Sequence, residues 1–199
     1  MSVNLQKGQK VDLRKSNKEE LKRVMVGLGW DEVEQKKGLF GAFKPAEDID
    51  CDASAILCKN GKLGEFKKDV VFYNNLRHYT GAVQHQGDNL TGAGEGDDEQ
   101  IFVDLSSLPA EYDRIVFVVT IYDAMKKKQH FGLIKNAYIR VCDESNGSEF
   151  CKFDLSENYF GKTAMIVGEI VKSNGEWKFN AIGQPTTDNS ILEMARRFQ

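Results

Sequence analysis

The chain has little of what marks a membrane, secreted or thiol-based protein. Its longest apolar run, Ile115–Tyr122, covers eight residues, against the roughly 20 a helix needs to cross a bilayer. The first ten residues, Met1–Lys10, are polar and hold no hydrophobic signal core, so a cytoplasmic location is expected. Only four cysteines occur, Cys51, Cys58, Cys142 and Cys151, with no Cys-x-x-Cys pair among them. They fit a reducing compartment and read as small buried hydrophobes, although a Cys142–Cys151 contact across a hairpin is geometrically possible. His78, His85 and His130 are scattered, and no Ser-His-Asp or Cys-His set emerges by spacing. A neutral structural role is expected for His85. No internal repeat, low-complexity tail or linker divides the sequence, so one domain over residues 1–199 is expected.

What is present is a foldable, strand-rich chain. With 41% hydrophobic residues it can bury a core, which excludes wholesale disorder. Leu21–Trp30, Ile49–Cys58, Val70–Tyr73, Ile101–Leu105, Arg114–Tyr122, Ala137–Cys142, Glu149–Leu155, Ala164–Lys172 and Trp177–Ile182 are short and often alternate apolar with polar residues. Asn60–Gly61, Asn146–Gly147 and Asn174–Gly175 lie between such runs and signal hairpins. Pro109 and the Ser106–Asp113 stretch read as a loop or short helical turn, and Gln35–Glu47 as a long surface loop. Only Asp188–Phe198 reads as α-helix, with Thr187 or Asp188 as its cap. The predicted fold class is all-β: an antiparallel β-sandwich with short helical turns and a C-terminal helix.

The formal charge is −3, but the acids are unevenly placed. Residues 47–52 carry four and residues 87–99 carry five, with no base in either segment; removing both leaves 21 acids against 27 bases. The loop reads Gly87-Asp88-Asn89-Leu90-Thr91-Gly92-Ala93-Gly94-Glu95-Gly96-Asp97-Asp98-Glu99. Its carboxylates, amide and flexible backbone are the oxygen donors calcium takes. Nitrogen and sulfur ligands are missing, which argues against zinc and copper. Asp48, Asp50 and Asp52 alternate, so an extended chain puts them on one face and turns Cys51 away. The turn Tyr73-Asn74-Asn75 offers further amide oxygens. An EF-hand is excluded because Ala53 stands in the glycine position and Lys59 in that of the terminal Glu. A phosphate loop is excluded by the missing Gly-Lys-Ser/Thr and by the acids themselves. No basic patch interleaved with aromatics suggests nucleic acid. Lys126-Lys127-Lys128 could touch acidic lipid or a partner protein, or be a solvated loop.

At the acidic loop the sequence resembles the TerD-like tellurium-resistance and stress-response family. Gly87-Asp88-Asn89, Thr91-Gly92, Gly94, Gly96-Asp97-Asp98-Glu99 and Ile101 carry the likeness. So do Val26-Gly27-Leu28-Gly29-Trp30-Asp31, Asp50-Cys51-Asp52-Ala53-Ser54-Ala55, Val71-Phe72-Tyr73-Asn74-Asn75 and Ile115 through Asp123. Thr163-Ala164-Met165 and Gly175-Glu176-Trp177-Lys178-Phe179 fit as well. The resemblance implies a β-sandwich binding two Ca²⁺ ions and a cytoplasmic stress-response role linked to tellurite and other toxic agents. It also implies partners in a protein assembly near the inner membrane face, and no enzymatic activity. Asp50, Asp52, Asp88, Asp97, Asp98 and Glu99 match as metal ligands, followed by Asn74, Asn75 and Asn89. Asp31 and Asp123 match family motifs but equally suit turn caps. Cys51 stands where the family has an aliphatic residue, and the loop before Asp50 is longer, which sets Asp48 apart. Two functions are carried forward: a non-enzymatic calcium-binding interaction module, and an enzyme (a hydrolase or a thiol-dependent metalloid detoxifier) using the acids or the cysteines.

Overall fold

The computed structural model describes residues 2–15, 17, 19–32, 49–87, 96–155, 157 and 159–199. The strands are β1 (Val3–Leu5), β2 (Lys10–Asp12), β3 (Arg23–Glu32), β4 (Cys51–Lys59), β5 (Lys62–Leu63), β6 (Val70–Val71), β7 (Val83–His85), β8 (Glu99–Asp104), β9 (Arg114–Ile121), β10 (Ile134–Asp143), β11 (Glu149–Asp154), β12 (Ala164–Ser173) and β13 (Glu176–Thr186). Short helices α1 (Phe66–Asp69), α2 (Ala124–Lys127) and α3 (Ile191–Arg196) and a 3₁₀ turn at Phe131–Leu133 join them. One sheet runs β1-β11-β10-β3-β8-β7; the other runs β2-β13-β12-β9-β4-β5, with β6 also on β4. All nine expected strands are present, and the all-β sandwich stands. One pair departs from the antiparallel expectation, since β1 runs parallel to β11. The Gln35–Glu47 loop lies outside the described residues.

Side-chain alternation builds the core. Along β3, Val24, Val26, Leu28 and Trp30 point between the sheets, as do Ile101 and Val103 of β8 and Ile139 and Val141 of β10. β9 is apolar from Ile115 to Val119 because both of its faces are covered. Ile115, Phe117, Val119 and Ile121 enter the inter-sheet core. Val116 and Val118 pack outward with Ile191, Met194 and Ala195 of α3. β4 follows the same rule: Cys51, Ala53, Ala55 and Leu57 face inward, Ile56 and Cys58 outward. Cys51 is thus turned away from Asp50 and Asp52, as strand alternation predicts. All four cysteines are free and buried.

The turns and caps follow local chemistry. Asn60–Gly61 and Asn174–Gly175 both have left-handed backbones, with φ of 53° and 73° in the first and 53° and 84° in the second. Such two-residue turns match the twist of the strands they join. Helix α3 is shorter than expected and begins later. Ser190, not Thr187 or Asp188, is its N-cap, accepting from Glu193 N at 3.2 Å while Glu193 accepts from Asn189 N at 2.8 Å. Asp188 instead pairs with Arg197 at 2.6 Å.

The N-terminal strap laces the two sheets together. β1 lies on β11 at the edge of one sheet and β2 on β13 at the edge of the other. Between them Gly8, at φ 82°, donates its N–H to Ala181 O at 2.7 Å.

Candidate metal centre at the acidic end

The three consecutive acids Asp97, Asp98 and Glu99 take three directions. Asp97 folds onto the outer face of β3, over Gly27. Its Oδ1 and Oδ2 accept from Arg140 Nε at 2.7 Å and Nη2 at 3.0 Å, and Oδ1 also accepts from Tyr138 Oη at 3.0 Å. Gln100 Nε2 donates to Oδ2 at 3.2 Å. The carboxylate is wholly buried, and this bidentate pair meets its needs. Burial and the neighbouring Asp97 charge push the Tyr138 phenol up, so it remains a donor. The glycines of the Val26–Trp30 motif make this possible. A Cβ at Gly27 would stand 2.2 Å from Asp97 Oδ2, and one at Gly29 would stand 2.5 Å from the Tyr138 ring.

Asp98 caps the end of β3. Its N–H donates to Leu28 O at 2.8 Å and its Oδ2 accepts from Trp30 N at 2.7 Å. Burial raises its pKa and the nearby Asp31 and Asp97 charges raise it further, against the pull of the Trp30 N–H. Among the described residues no basic side chain pairs with it.

Glu99 points across the sandwich into the opposite sheet. β6 pairs β4 only at Ala55 and Ile56, so the Ala53 backbone lies beyond that ladder. Glu99 Oε2 accepts from Ala53 N at 2.5 Å, and His85 Nε2 donates to Ala53 O at 3.2 Å. Gly87 N donates to His85 Nδ1 at 3.1 Å, which places the ring proton on Nε2. Two side chains thereby satisfy peptide groups that a strand would otherwise take. His85 has the structural role expected of it.

The contact with Ala53 joins the two acidic segments, because Ala53 directly follows Asp52. Asp52 is buried on the outward face of β4 opposite Thr120, and Asp50 accepts from Tyr122 N through its carbonyl at 2.8 Å. Asn75 closes the turn after β6: its Nδ2 donates to Val70 O at 2.7 Å and its N–H to Phe72 O at 2.8 Å. Asn74 is exposed at the tip of that turn. Asp31 accepts from Asn136 Nδ2 at 2.7 Å, and Asp123 is the exposed residue opening α2, with a left-handed φ of 54°. Asp48, Asp88 and Asn89 lie outside the described residues. Among the described residues no group of three or more His, Cys, Asp or Glu converges as a metal cage.

A second buried polar cluster was missed at the sequence level. Asp69, at the end of α1, accepts from Tyr112 Oη at 2.6 Å and from Glu65 N at 2.8 Å, with His78 Nε2 at 3.6 Å. With its proton on Asp69, Tyr112 Oη accepts from Tyr79 Oη at 3.2 Å. Lys59, paired with Glu111, lies 4.6 Å from the centre of the Tyr112 ring. Burial pushes the Asp69 carboxyl up, but the Tyr112 hydroxyl, the Glu65 N–H and Lys59 outweigh it, so its pKa ends below the usual range. Asp69 follows the exposed Lys67 and Lys68 in the same turn, so nothing in the local sequence set it apart as buried. At the opposite end of the sandwich an open cleft of about 830 Å³ is lined by Lys15, Arg23, Asp143 and Glu144. These pair among themselves, Lys15 with Asp143 at 3.0 Å and Arg23 with Glu144 at 2.9 Å.

Comparison with known proteins decides the family. The TerD domain model matches residues 1–198. The chain belongs to the TerD family. This TerD domain is 47% identical over its full length, and over the full length of the relative, to stress response protein SCP2 of Bacillus subtilis. It is 45% identical to tellurium resistance protein TerD of Serratia marcescens, covering 92% of this chain and 91% of that one. The fold matches a crystal structure described as a homologue of telluride resistance protein (TerD) from Streptomyces coelicolor. That match has a TM-score of 0.67 and 22% identity, covering 90% of this chain and 98% of the other.

Proposed function

We propose that this TerD domain is a calcium-binding, non-enzymatic interaction module of the stress and tellurite response. The observation that carries the reading is Asp98: a half-buried carboxylate beside Asp31 and the Arg140-paired Asp97, its Oδ2 held by the Trp30 N–H, with no basic partner among the described residues. A divalent cation is the simplest relief for such a group. The donor chemistry fits calcium, since the acids and amides gathered at this end are oxygen ligands. Asp98, Asp50 and Asp52, with Asp88, Asn89 and the Asn74–Asn75 turn, would hold the ions. Asp97 does not fit a ligand role as placed, because Arg140 takes both of its oxygens. Glu99 Oε2 is committed to the β4 backbone. These two would hold the loop in position while their neighbours bind. The stress-response and tellurium-resistance names of the relatives supply the biological setting. An assembly partner at the inner membrane face and a cytoplasmic location belong to the same reading.

The thiol-enzyme alternative has less support. Burial pushes the Cys58 thiol up to about 11 and the Cys151 thiol up to about 12, so neither supplies a thiolate nucleophile near neutral pH. Calorimetric titration of metal-free protein with Ca²⁺ tests the proposal. Saturable binding near two equivalents is expected, with affinity reduced by Asp98→Asn and by Asp52→Asn. Absence of binding heat, together with melting unmoved by Ca²⁺, would sink it.

A further inference from the structure

Three of the most exposed large apolar side chains lie on two joined loops at the acidic end. Phe160 is 75% exposed, Met125 71% and Tyr122 47%. Residues 122–131 leave β9 and residues 159–163 lead into β12. Phe131 N donates to Lys162 O at 2.8 Å and Ile121 N to Thr163 O at 3.0 Å, which ties the loops together. The Phe160 ring stands edge-on to His130, with centroids 4.5 Å apart. Gly132 lets the Phe160 backbone approach: a Cβ there would meet Phe160 Cα at 2.9 Å. The one-turn helix α2, which carries Met125, is closed at both ends by left-handed residues, Asp123 and Lys128. These apolar groups are held outward by a fixed scaffold.

The two loops themselves carry a basic excess, although they lie at the acidic end. Lys126, Lys127, Lys128 and Lys162 lie on the two loops against a single acid, Asp123. Asp123 sits 3.6 Å from Lys126, whose side chain is 83% exposed. Lys127 Nζ lies 5.6 Å from the centre of the Tyr122 ring. Projecting apolar tips ringed by lysines match the chemistry of a bilayer surface. Methionine and phenylalanine enter the acyl boundary, tyrosine rests at headgroup depth, and ammonium groups stay beside the phosphates. A protein groove would instead call for a broad apolar patch with fewer solvated charges at its centre.

We propose that residues 122–131 and 159–163 form a docking surface for a bilayer carrying anionic headgroups. The contact is peripheral, because among the described residues no helix is long and apolar enough to cross a membrane. It requires no bound cation and stands independently of the calcium reading.

Co-sedimentation with vesicles tests it, run in chelator so that Ca²⁺ cannot bridge protein to lipid. The protein should bind vesicles containing phosphatidylglycerol, ignore pure phosphatidylcholine, and release as salt is raised. Met125→Ser combined with Phe160→Ser should weaken binding about tenfold through lost apolar burial, with melting temperature unchanged. Lys126→Gln combined with Lys128→Asn should weaken it and flatten the salt dependence. Phe160→Trp should blue-shift its emission on anionic vesicles, against native Trp30 and Trp177 that are buried. Failure to bind anionic vesicles overturns the proposal, as does binding undiminished in both double variants. A serine variant that alters only self-association in the ultracentrifuge also overturns it, and would assign the surface to a second copy of the chain. A Ca²⁺ titration that fails leaves these results untouched.

Discussion

Gly27 and Asp97 show how one missing side chain can create a site for another. The Asp97 carboxylate occupies the space a Cβ at Gly27 would fill, and Arg140 prevents it from moving aside. Gly27→Ala is therefore expected to destabilise the protein by about 1–3 kcal/mol through overpacking. In an Asp97→Ala background the same change should cost much less, a non-additivity that a double-mutant cycle in urea would read directly. The Asp69 cluster gives a prediction with a pH signature. Tyr112→Phe removes a donor to a buried carboxylate and should cost about 1.5–3 kcal/mol near neutral pH. Because the folded Asp69 pKa lies below its ordinary 3.8, its stabilisation is complete above that value and is lost as acid drives pH below it. His78 acts at a higher pH. Burial, only partly offset by Asp69, holds its pKa below the ordinary 6.5. The unfolded chain then takes up the proton first, and stability falls as pH drops below 6.5. Urea unfolding across that range should show the loss, and His78→Gln should flatten it. Equal slopes in both proteins would refute the assignment.

Among the elements, α3 shows what a single cap contributes. It supplies Ile191, Met194 and Ala195 to the outer face of the second sheet, yet spans only six residues, too few to be stable alone. Ser190→Ala should cost about 1 kcal/mol, read as a lower thermal midpoint, with Ser190→Asp close to wild type. The elements also show what the sequence made legible. β3, β4, β9 and β12 were readable because eight or more residues keep one period or one apolar run. β1, β2, β5 and β7 were not, because two or three residues carry no period, and β1 and β2 pair with strands far along the chain. The cap of α3 was misread because Thr187, Asp188 and Ser190 are all competent caps, and the Arg197–Asp188 pair removes one of them. The acidic end was legible as a concentration of charge, but the division of labour within it was not. Arg140 lies 43 positions from Asp97, and the Ala53 peptide lies 46 positions from Glu99. The glycines at 27 and 29, interrupting an otherwise apolar strand, were the visible sign of a close approach there.

For the molecule as a whole, the uneven charge matters more than its sum. Two Ca²⁺ ions would take the formal −3 to +1, with the entire change at the end that also carries Lys126, Lys127 and Lys128. If the ions bind only the folded chain, Ca²⁺ at about a hundredfold over its dissociation constant should add about 2.7 kcal/mol of stability. Differential scanning calorimetry in Ca²⁺ and in chelator would measure it, and coincident melting curves would count against the metal centre.

The N-terminal strap has a consequence for how the chain is made. A ribosome delivers β1 and β2 first, but their partners β11 and β13 occupy residues 149–154 and 176–186. Until those residues are made, β1 and β2 have nowhere native to pair. Assembly of the two sheets can finish only after residues 149–186 have left the exit tunnel. The nascent chain therefore carries open β edges until β11 and β13 emerge, and slower translation of residues 149–186 would lengthen that exposure without altering the finished fold.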